Sequence, residues 1–451
     1  MNQKAMRTSR VRRSITPARL AGGAAARWAT TYLYRGEKRQ AKRKQAMLRT
    51  AEDVTRTMGE MKGAAMKLGQ VLSLMAGVLP EEMATQLATL QSNAPPMAYG
   101  LVEQVFEREY GQAPDRVFRK FQKEPFAAAS IGQVHRAELR DGTPVAVKVQ
   151  YPGVRQAIEH DLANVGMMIG LGGLLARGLD TQAIVTELKE GIRAELDYLR
   201  EAAWQQRYFD AFGGHGFIRV PKVYHELTTS TVLVQEYIKG RPFATARTLP
   251  QAERDRLGEI IYRFCFGSLY RHRLFNGDPH PGNYLLLDDG AVAFVDYGCV
   301  AEFSEDVVAA FKRLIRGLLA GDIEEWRRST EAVGILHPGA PFTTHELYEH
   351  MHWYWAPILG ERVRFTPELA AEMVRRNTMT TGIGGQINKH CNVPEGMVFL
   401  TRINFGLAGL LAGLGAAGPW GAIVEEYVDD RPPSTELGRI SAATTRDGRP
   451  V

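Results

Sequence analysis

The sequence predicts an α+β protein with two lobes, a small one that contains a sheet and a larger one that is mainly helical. Segments rich in β-branched residues at 145–150 and 231–237, with a long charged helix candidate at 181–209 between them, indicate the small lobe. Beyond residue 240 helical patterns dominate. At 451 residues the chain is long enough for two or three lobes that each bury a core.

Breaks in periodicity and composition divide the chain further. Helical periodicity over 36–92 ends at the paired prolines Pro95 and Pro96, and the large lobe carries helix candidates at 251–271 and 304–320. The polar chain from Asp430 onward is typical of a disordered tail. The predicted parts are a basic arm, a helical extension, the small lobe, the large lobe and the tail, at residues 1–50, 51–115, 116–238, 239–429 and 430–451.

The positive charge is concentrated at the N-terminus. Residues 1–50 hold 14 Lys/Arg and one acid, Glu37, so they carry +13 while the rest of the chain carries −7. Such an arm either lies on an anionic membrane surface or is simply solvated, and we expect no nucleic-acid partner. Three scattered cysteines, with no CxxC spacing, fit a reducing cytoplasm, with peripheral membrane contact as the variant.

One apolar stretch is long enough to require a membrane test. Residues 403–424 carry no charge, and this uncharged stretch is as long as a membrane span. The stretch is rich in Gly and Ala and is broken at Gly418-Pro419, which favours two short packed helices over one straight span. We therefore expect a buried helical hairpin, with membrane insertion left open.

A short stretch of the large lobe has the spacing of a phosphotransfer site. Asp278 and Asn283 are separated as the Asp and Asn of the kinase motif HRDxxxxN are, and Asp296 begins DYG where kinases have DFG. Asp278 is the candidate that orients or deprotonates the acceptor, and Asn283 and Asp296 are candidate Mg²⁺ ligands. Short strands are expected at 284–287 and 291–295.

The small lobe offers matching candidates for the nucleotide. Lys148 lies in VAVK on a strand, where a lysine is otherwise usually solvent-facing. The segment before it keeps one glycine and one valine of the kinase glycine-rich loop but has alanine at the first two glycine positions, and taken alone it would be an ordinary hairpin. The candidate nucleotide-binding residues there are Ala127, Ala128, Ala129, Ser130, Gly132, Val134 and Lys148.

Further candidates come from a helix and a strand end. The segment GIRAELDYLREAAW supplies the carboxylates Glu195, Asp197 and Glu201, which otherwise would be a charged helix face. A strand that ends at Glu236 and Tyr237 stands where kinases have the hinge that contacts the nucleotide base. These elements occur in kinase order, so the sequence predicts a protein-kinase-like fold that binds ATP or ADP with Mg²⁺.

The chain resembles the UbiB/AarF family of atypical kinase-like ATPases over about residues 50–425. The resemblance rests on MKLGQ, AAASIGQVHRA, AVKVQYPGV, ELDYLREA and DPHPGN. It implies that a KxGQ extension, with Lys67, Gly69 and Gln70, folds over the active site and that Lys67 meets Glu195 and Asp197. It also implies that Glu201 pairs with Lys148.

Two features disfavour a protein substrate. Position 277 is Gly where an HRD kinase has Arg, and helix-forming sequence begins at Ser304 without a long activation segment or an APE motif. The expected function is ATPase or small-molecule kinase activity, with isoprenoid-quinone or lipid metabolism as the implied context. The alternatives are a regulatory module or pseudokinase that presents membrane lipids without phosphotransfer and, less favoured, a conventional Ser/Thr kinase. The sequence does not predict the oligomeric state.

The histidines are expected to be structural. His345 and His350 are five residues apart, about 140° around a helix, which differs from the i, i+4 spacing of a zinc motif. His280 stands between two prolines and His135 follows Val134, and neither is expected to react.

Overall fold

The computed structural model describes residues 97–129, 131–159, 193–377, 379, 382–392, 398–443, 445–446 and 449–450, together with Thr30, Tyr34, Lys38 and Lys42. The KxGQ residues Lys67, Gly69 and Gln70, and Ser130, lie outside the described residues. The chain forms two compact units. The described parts of unit 1 are residues 97–159, 193–197 and 227–234, and those of unit 2 are residues 198–226 and 235 onward.

The described regular elements are numbered in chain order. The helices are α1 Tyr99–Tyr110, α2 Pro114–Val117, α3 Tyr198–Phe212, α4 Gln251–His272, α5 Glu305–Leu319, α6 Ile323–Ala332, α7 Thr344–Leu359, α8 Pro367–Asn377, α9 Gly382–Asn388, α10 Val398–Leu414, α11 Trp420–Val428 and α12 Glu436–Ala443. The strands are β1 Lys120–Phe121, β2 Ala127–Ala129, β3 Gly132–Glu138, β4 Pro144–Gln150, β5 Ile218–Arg219, β6 Val232–Glu236, β7 Arg241–Pro242, β8 Leu274–Asn276, β9 Tyr284–Leu286, β10 Val292–Phe294, β11 Val300–Glu302, β12 Val363–Arg364, β13 Ala417–Gly418, β14 Thr445–Arg446 and β15 Arg449–Pro450.

Unit 1 is built on a five-stranded sheet in the order β1-β3-β4-β6, with β2 paired to β3. The β-branched residues of β4 explain its position, because Val145, Val147 and Val149 point to one face and are fully buried. Helix α1 contacts β4 and buries Val102 and Phe106. The predicted strands at 145–150 and 231–237 are thus confirmed.

Unit 2 is organised around the long helix α4. Its first half already buries Ile260 and Ile261, and Phe264 stacks on Phe294 of β10 with the ring centroids 3.6 Å apart. Helix α4 ends at Arg273, which has the left-handed φ of 58° and whose N–H bonds to the Leu269 carbonyl. The chain then turns directly into β8.

The stretch that follows α4 forms two small sheets. β8 pairs antiparallel with β11, and β9 pairs antiparallel with β10 in the sheet β5-β10-β9-β7. The strands expected at 284–287 and 291–295 are therefore confirmed as a hairpin. This pairing brings the chain around Asp278 next to the chain around Asp296.

A buried ion pair joins α4 to the C-terminal helices of unit 2. Arg263 and Glu426 of α11 are 2% and 4% exposed, and the two guanidinium nitrogens lie 2.8 and 2.9 Å from the two carboxylate oxygens. Burial raises the pKa of Glu426, but the hydrogen bonds from Arg263 outweigh it and leave the pKa below its ordinary value. The Arg263 guanidinium also donates to Thr435 just before α12, at 2.9 Å.

The apolar stretch at 403–424 forms two helices, α10 and α11, as expected, with the break at residues 415–419. Both contact α4, and a Cβ on Gly421 would lie 2.2 Å from the Ile358 carbonyl oxygen, so α11 packs backbone to backbone against α7. Among the described helices, none combines the length and apolar character needed to span a bilayer.

Two expectations about boundaries differ from the structure. The tail was expected to be disordered from residue 430, but residues 436–443 form α12, and its Leu437 is buried. Two long-range hydrogen bonds hold this helix, one that Arg263 donates to Thr435 and one that Thr435 donates to Glu259. No local sequence pattern predicts these bonds. The helix around Glu201 was assigned to the small lobe, yet α3 is part of unit 2.

Replacing Glu426 by Gln should lower the free energy of unfolding by up to about 3–5 kcal/mol, because buried Arg263 would lose the carboxylate that accepts two of its hydrogen bonds and keep Glu259 as its carboxylate partner. Urea unfolding followed by circular dichroism measures this. The matched control is Glu302→Gln, which breaks another two-bond Arg–Glu pair, with Arg207, whose side chains are 42% and 40% exposed. That change should cost less than about 1 kcal/mol. Equal losses in the two variants would contradict the assigned role of burial.

Candidate active site

Lys148 lies on the central strand β4 of unit 1 and is 7% exposed. Its direct partner on β3 is Val134, so the two side chains share one face of the sheet. This face is opposite to the one that carries Val145, Val147 and Val149. The lysine side chain is therefore buried in the sheet, which excludes the ordinary solvent-facing alternative.

The alanine-rich segment forms the β2–β3 hairpin, in which Ala129 pairs with Gly132. A Cβ at Gly132 would lie 2.2 Å from the Val149 carbonyl oxygen. Backbone contact with β4 thus requires a glycine there, whatever the hairpin binds. Ala127 and Ala128 are exposed on β2, where a ligand has access to them.

The carboxylates before α3 are anchored to the sheet of unit 1. Gln150 donates from its amide to the Leu196 carbonyl at 3.1 Å, and Arg155 donates to the same oxygen at 2.7 Å. Glu195, beside Leu196, is 7% exposed. Because Lys67 is outside the described residues, its contact with Glu195 and Asp197 remains a prediction.

In unit 2, Glu201 lies in the first turn of α3 and is 3% exposed. The Tyr297 backbone N–H approaches its carboxylate at 3.5 Å, at the long end of the hydrogen-bond range. The Tyr297 ring is fully buried against Tyr208 of α3, with centroids 4.9 Å apart. Helix α3 and the DYG motif are thus packed together. The pairing of Glu201 with Lys148 remains a prediction, since the two residues belong to different units.

The candidate catalytic loop follows β8 and is closed by hydrogen bonds. Asn283 donates from its amide to the Asp278 carboxylate at 3.1 Å and to the Asp278 carbonyl at 3.2 Å. His280 accepts from the Gly282 N–H through Nδ1 and so caps the turn Pro281–Asn283. The five-residue spacing predicted from the sequence therefore brings Asp278 and Asn283 into direct contact. His280 has the structural role expected of it.

Asn276 connects this loop to the DYG motif. Its amide nitrogen donates to the Asp296 carbonyl at 2.8 Å, and its amide oxygen accepts from the Asp278 N–H at 3.1 Å. The Asp296 carboxylate accepts from the Gly298 N–H at 3.0 Å, and the Val295 N–H donates to the Asn283 carbonyl at 3.0 Å. These bonds bring the three predicted residues Asp278, Asn283 and Asp296 into one network.

The sequence reasoning missed Asn276. Neither the motif spacing nor the resemblance singled out Asn276, whereas its two hydrogen bonds link the loop to the DYG motif. The signal available in the sequence was its position two residues before Asp278, where a kinase has the His of HRD.

The structure also gives the surroundings of the remaining candidate residues. Glu236 ends β6, and its carboxylate accepts from the Lys222 N–H at 3.2 Å, while Tyr237 follows it half-buried. His135 is buried and hydrogen-bonded to Gln133 and to the Gln122 carbonyl, and burial lowers its pKa, so it is a neutral structural histidine.

The zinc-like histidine pair is also structural. His350 bonds to Asn388 at 2.9 Å through Nε2, and burial lowers its pKa, whereas His345 is exposed on α7. Among the described residues there is no group of three or more His, Cys, Asp or Glu with the geometry of a metal site.

Comparison with known proteins identifies the family. A model of the ABC1 atypical kinase-like domain matches residues 89–330, which is more than half of the chain. The chain belongs to this family of atypical kinases. The resemblance to UbiB/AarF proteins is thereby confirmed.

Several curated relatives are about one third identical to this chain. The mitochondrial atypical kinase COQ8 of Saccharomyces cerevisiae is 32% identical over 264 residues, which cover 58% of this chain and 53% of that protein. The mitochondrial COQ8B of Rattus norvegicus is 31% identical over 313 residues, 69% of this chain and 58% of that protein. An uncharacterized protein of Synechocystis is 34% identical over 270 residues, 56% of this chain and 65% of that protein. The chain thus spans less than two thirds of the length of these relatives.

A solved structure supports the fold of this chain. The Mycobacterium tuberculosis protein Rv3197, in complex with erythromycin, matches with a TM-score of 0.62 and 31% identity, over 86% of this chain and 98% of that one. The predicted α+β, protein-kinase-like fold is confirmed.

Replacing Asn276 by Ala should loosen both loops, because it removes two hydrogen bonds worth about 0.5–1.5 kcal/mol each. We expect the free energy of unfolding to fall by about 1–3 kcal/mol and amide hydrogen exchange to rise in residues 277–283 and 296–298. Hydrogen exchange with mass spectrometry measures the local effect. Asn392→Ala, at an exposed position, is the control and should leave both unchanged. Unaltered exchange in Asn276→Ala would contradict the bridging role.

Replacing Gly132 by Ala should destabilise the protein without any nucleotide present, by about 1–3 kcal/mol, because the new methyl group collides with the β4 backbone. Thermal unfolding of the nucleotide-free protein measures this. Gly100→Ala is the control, since no atom lies within 4 Å of a Cβ there and α1 should gain about 0.5–1 kcal/mol. A Gly132→Ala variant of normal stability, with only nucleotide affinity reduced, would instead assign the glycine to ligand contact.

Proposed function

We propose that this atypical kinase binds ATP or ADP with Mg²⁺ and either hydrolyses ATP or transfers its terminal phosphoryl group to a small molecule. The observation that carries the proposal is the hydrogen-bonded network of Asp278, Asn283 and Asp296. Kinase-like phosphoryl transfer depends on positioned acceptor and metal ligands more than on covalent chemistry, and this network provides the positioning.

The donor atoms fit a magnesium ion. Mg²⁺ prefers carboxylate and amide oxygens, and Asn283 and Asp296 supply one of each. The Asn283 amide nitrogen is turned toward Asp278, so its Oδ1 is directed away from that bond. The Asp296 carboxylate is oriented by the Gly298 N–H. When bound, the metal would neutralise charge on the phosphates.

The chain's own groups have separate roles. Asp278 would accept the proton of the acceptor hydroxyl or of a water at its carboxylate and orient that group, since the bond from Asn283 holds the carboxylate in place. Lys148 would contact the phosphates from β4, and Glu201 would stabilise that lysine. The hairpin residues Ala127, Ala128, Ala129, Ser130, Gly132 and Val134 would cover the phosphates, and Glu236 and Tyr237 would contact the base.

The acceptor is better assigned to water or a small molecule than to a protein. Residues 296–330 are all described, and between Gly298 and the start of α5 at Glu305 they contain only β11. A protein kinase places its substrate platform there, between DFG and APE. The resemblance adds the KxGQ extension as a further barrier to peptides. Isoprenoid-quinone or lipid metabolism is the metabolic context we propose.

A second candidate is a nucleotide-dependent binding module that remodels or presents a lipid without phosphotransfer. The relative from Mycobacterium tuberculosis was solved in complex with erythromycin, so a protein of this fold has been found with a small molecule that is not a nucleotide. The arm of residues 1–50, with a charge of +13, would bring this protein to an anionic membrane surface from the cytoplasm, whichever of the two functions it has.

Replacing Asp296 by Asn should abolish Mg²⁺-dependent stabilisation by ATP and reduce phosphate release at least 100-fold, because one metal-binding charge is lost. Thermal shift and phosphate-release assays, each with and without anionic liposomes, measure this. The matched control is Asp288→Asn in the exposed turn between β9 and β10, which should behave as wild type.

The outcomes separate the candidates. Turnover that Asp296→Asn removes and liposomes raise would support a membrane-stimulated ATPase or kinase. ATP-dependent stabilisation without turnover in any condition would favour the binding module. A wild-type protein that ATP and Mg²⁺ do not stabilise would refute both.

A further inference from the structure

Gln235 is a buried polar side chain without a role in the proposed phosphoryl transfer. It lies on β6 one residue before Glu236, in the segment proposed to contact the base, and it is 6% exposed. Glu236 is exposed, because neighbouring side chains of a strand point in opposite directions. Gln235 is therefore on the covered side of this strand end.

The amide group of Gln235 has one hydrogen bond and one unused acceptor. Its Nε2 donates to the Val295 carbonyl at 3.5 Å, at the long end of the hydrogen-bond range. Its Oε1 is withdrawn from water and accepts no hydrogen bond from any residue in the described part of the chain. A buried acceptor without a donor is unfavourable, so a ligand that donates to Oε1 would relieve this cost.

The contact with Val295 determines which way the amide faces. Turning the amide over would place Oε1 against the Val295 carbonyl oxygen, and two acceptors would then face each other. Nε2 therefore remains the atom that faces the carbonyl, and Oε1 remains the free acceptor. The group that would satisfy it is a hydrogen-bond donor.

The position of Gln235 relates this acceptor to the part of the candidate site that unit 2 contributes. Val295 immediately precedes Asp296, a candidate metal ligand, and the Val295 N–H donates to the carbonyl of Asn283, the other one, at 3.0 Å. The Gln235 side chain thus extends from the strand end that would contact the base to the residue beside Asp296. A nucleotide held by both would have its base next to Gln235.

An unused amide oxygen does not by itself indicate a ligand. Gln205 on α3 shows the same pattern, since its Nε2 donates to the Pro221 carbonyl at 2.8 Å and its buried Oε1 accepts nothing from the described residues. Its bond is to Pro221 and not to a residue of the DYG region. The distinguishing feature of Gln235 is its place between the end of β6 and Asp296, and Gln205 provides a matched control.

We propose that Gln235 selects the nucleotide base, with its Oε1 accepting a hydrogen bond from the exocyclic amine of adenine. This inference rests on the proposed function, in which Glu236 and Tyr237 contact the base. Guanine has a carbonyl oxygen where adenine has this amine, so it would set an acceptor against Oε1. Gln235 is therefore a specificity-determining residue that favours adenine nucleotides over guanine nucleotides.

The test compares ADP with purine riboside 5′-diphosphate, which lacks only the exocyclic amine, and with GDP. Diphosphates are used because the proposed ATPase or kinase reaction does not consume them. Isothermal titration calorimetry with the full chain and Mg²⁺ measures the dissociation constants. We expect the wild type to bind ADP about 5–100-fold more tightly than either of the other two, the range for leaving a buried acceptor unpaired.

Two matched variants locate the selectivity. Gln235→Met keeps the length of the side chain, removes both polar atoms and should reduce the preference for ADP over purine riboside diphosphate at least about 5-fold. Gln205→Met makes the same change on α3 and should leave that preference as in wild type. Circular dichroism verifies that each variant is folded.

Three results would overturn the inference. Equal affinity of the wild type for ADP and purine riboside diphosphate would do so without any variant. The others are an unchanged preference in folded Gln235→Met and an equal loss of preference in Gln205→Met. A wild type that binds none of the diphosphates would refute the proposed function and this inference together, whereas equal binding refutes base selection alone, so the two failures are distinguishable.

Discussion

The buried pair of Arg263 and Glu426 is the interaction on which the rest of unit 2 depends. Both side chains are withdrawn from water, and the guanidinium is fully engaged, with Glu259, Glu426 and Thr435 as partners. A buried ion pair is weak evidence of net stability, but separating its members is costly. It therefore fixes which surfaces of α4, α11 and the segment before α12 face each other. Helix α4 in turn leads the chain to β8 and the candidate catalytic loop.

The elements that the sequence predicts correctly are those whose residues show a local periodicity. Helix α4 was expected at 251–271 and extends over 251–272, and the strands β4, β9 and β10 follow their β-branched and aromatic residues. The break at Gly418-Pro419 indicated two helices correctly. Helix α12 was not predictable, because its position depends on bonds from Thr435 to residues more than 170 positions earlier in the chain.

The candidate site likewise contains some residues that the sequence predicts and others that it does not. The spacing of Asp278, Asn283 and Asp296 was readable because the catalytic groups of a kinase-like loop are close in sequence. The role of Asn276 was not, since it arises only when β8 pairs with β11 and brings residue 276 opposite residue 300. Gly132 shows a different limit. Its residue type fits a phosphate-binding loop, but the nearest atom to its missing side chain is a backbone oxygen of β4.

Helix α4 connects the buried ion pair to the candidate catalytic loop. Arg263 and the end of the helix at His272 are nine residues apart, about 14 Å along the axis. Sliding or rotation of α4 would break the buried ion pair, so Arg263 opposes both motions. The same pair that holds α11 and the segment before α12 therefore fixes where the chain leaves α4 and enters β8.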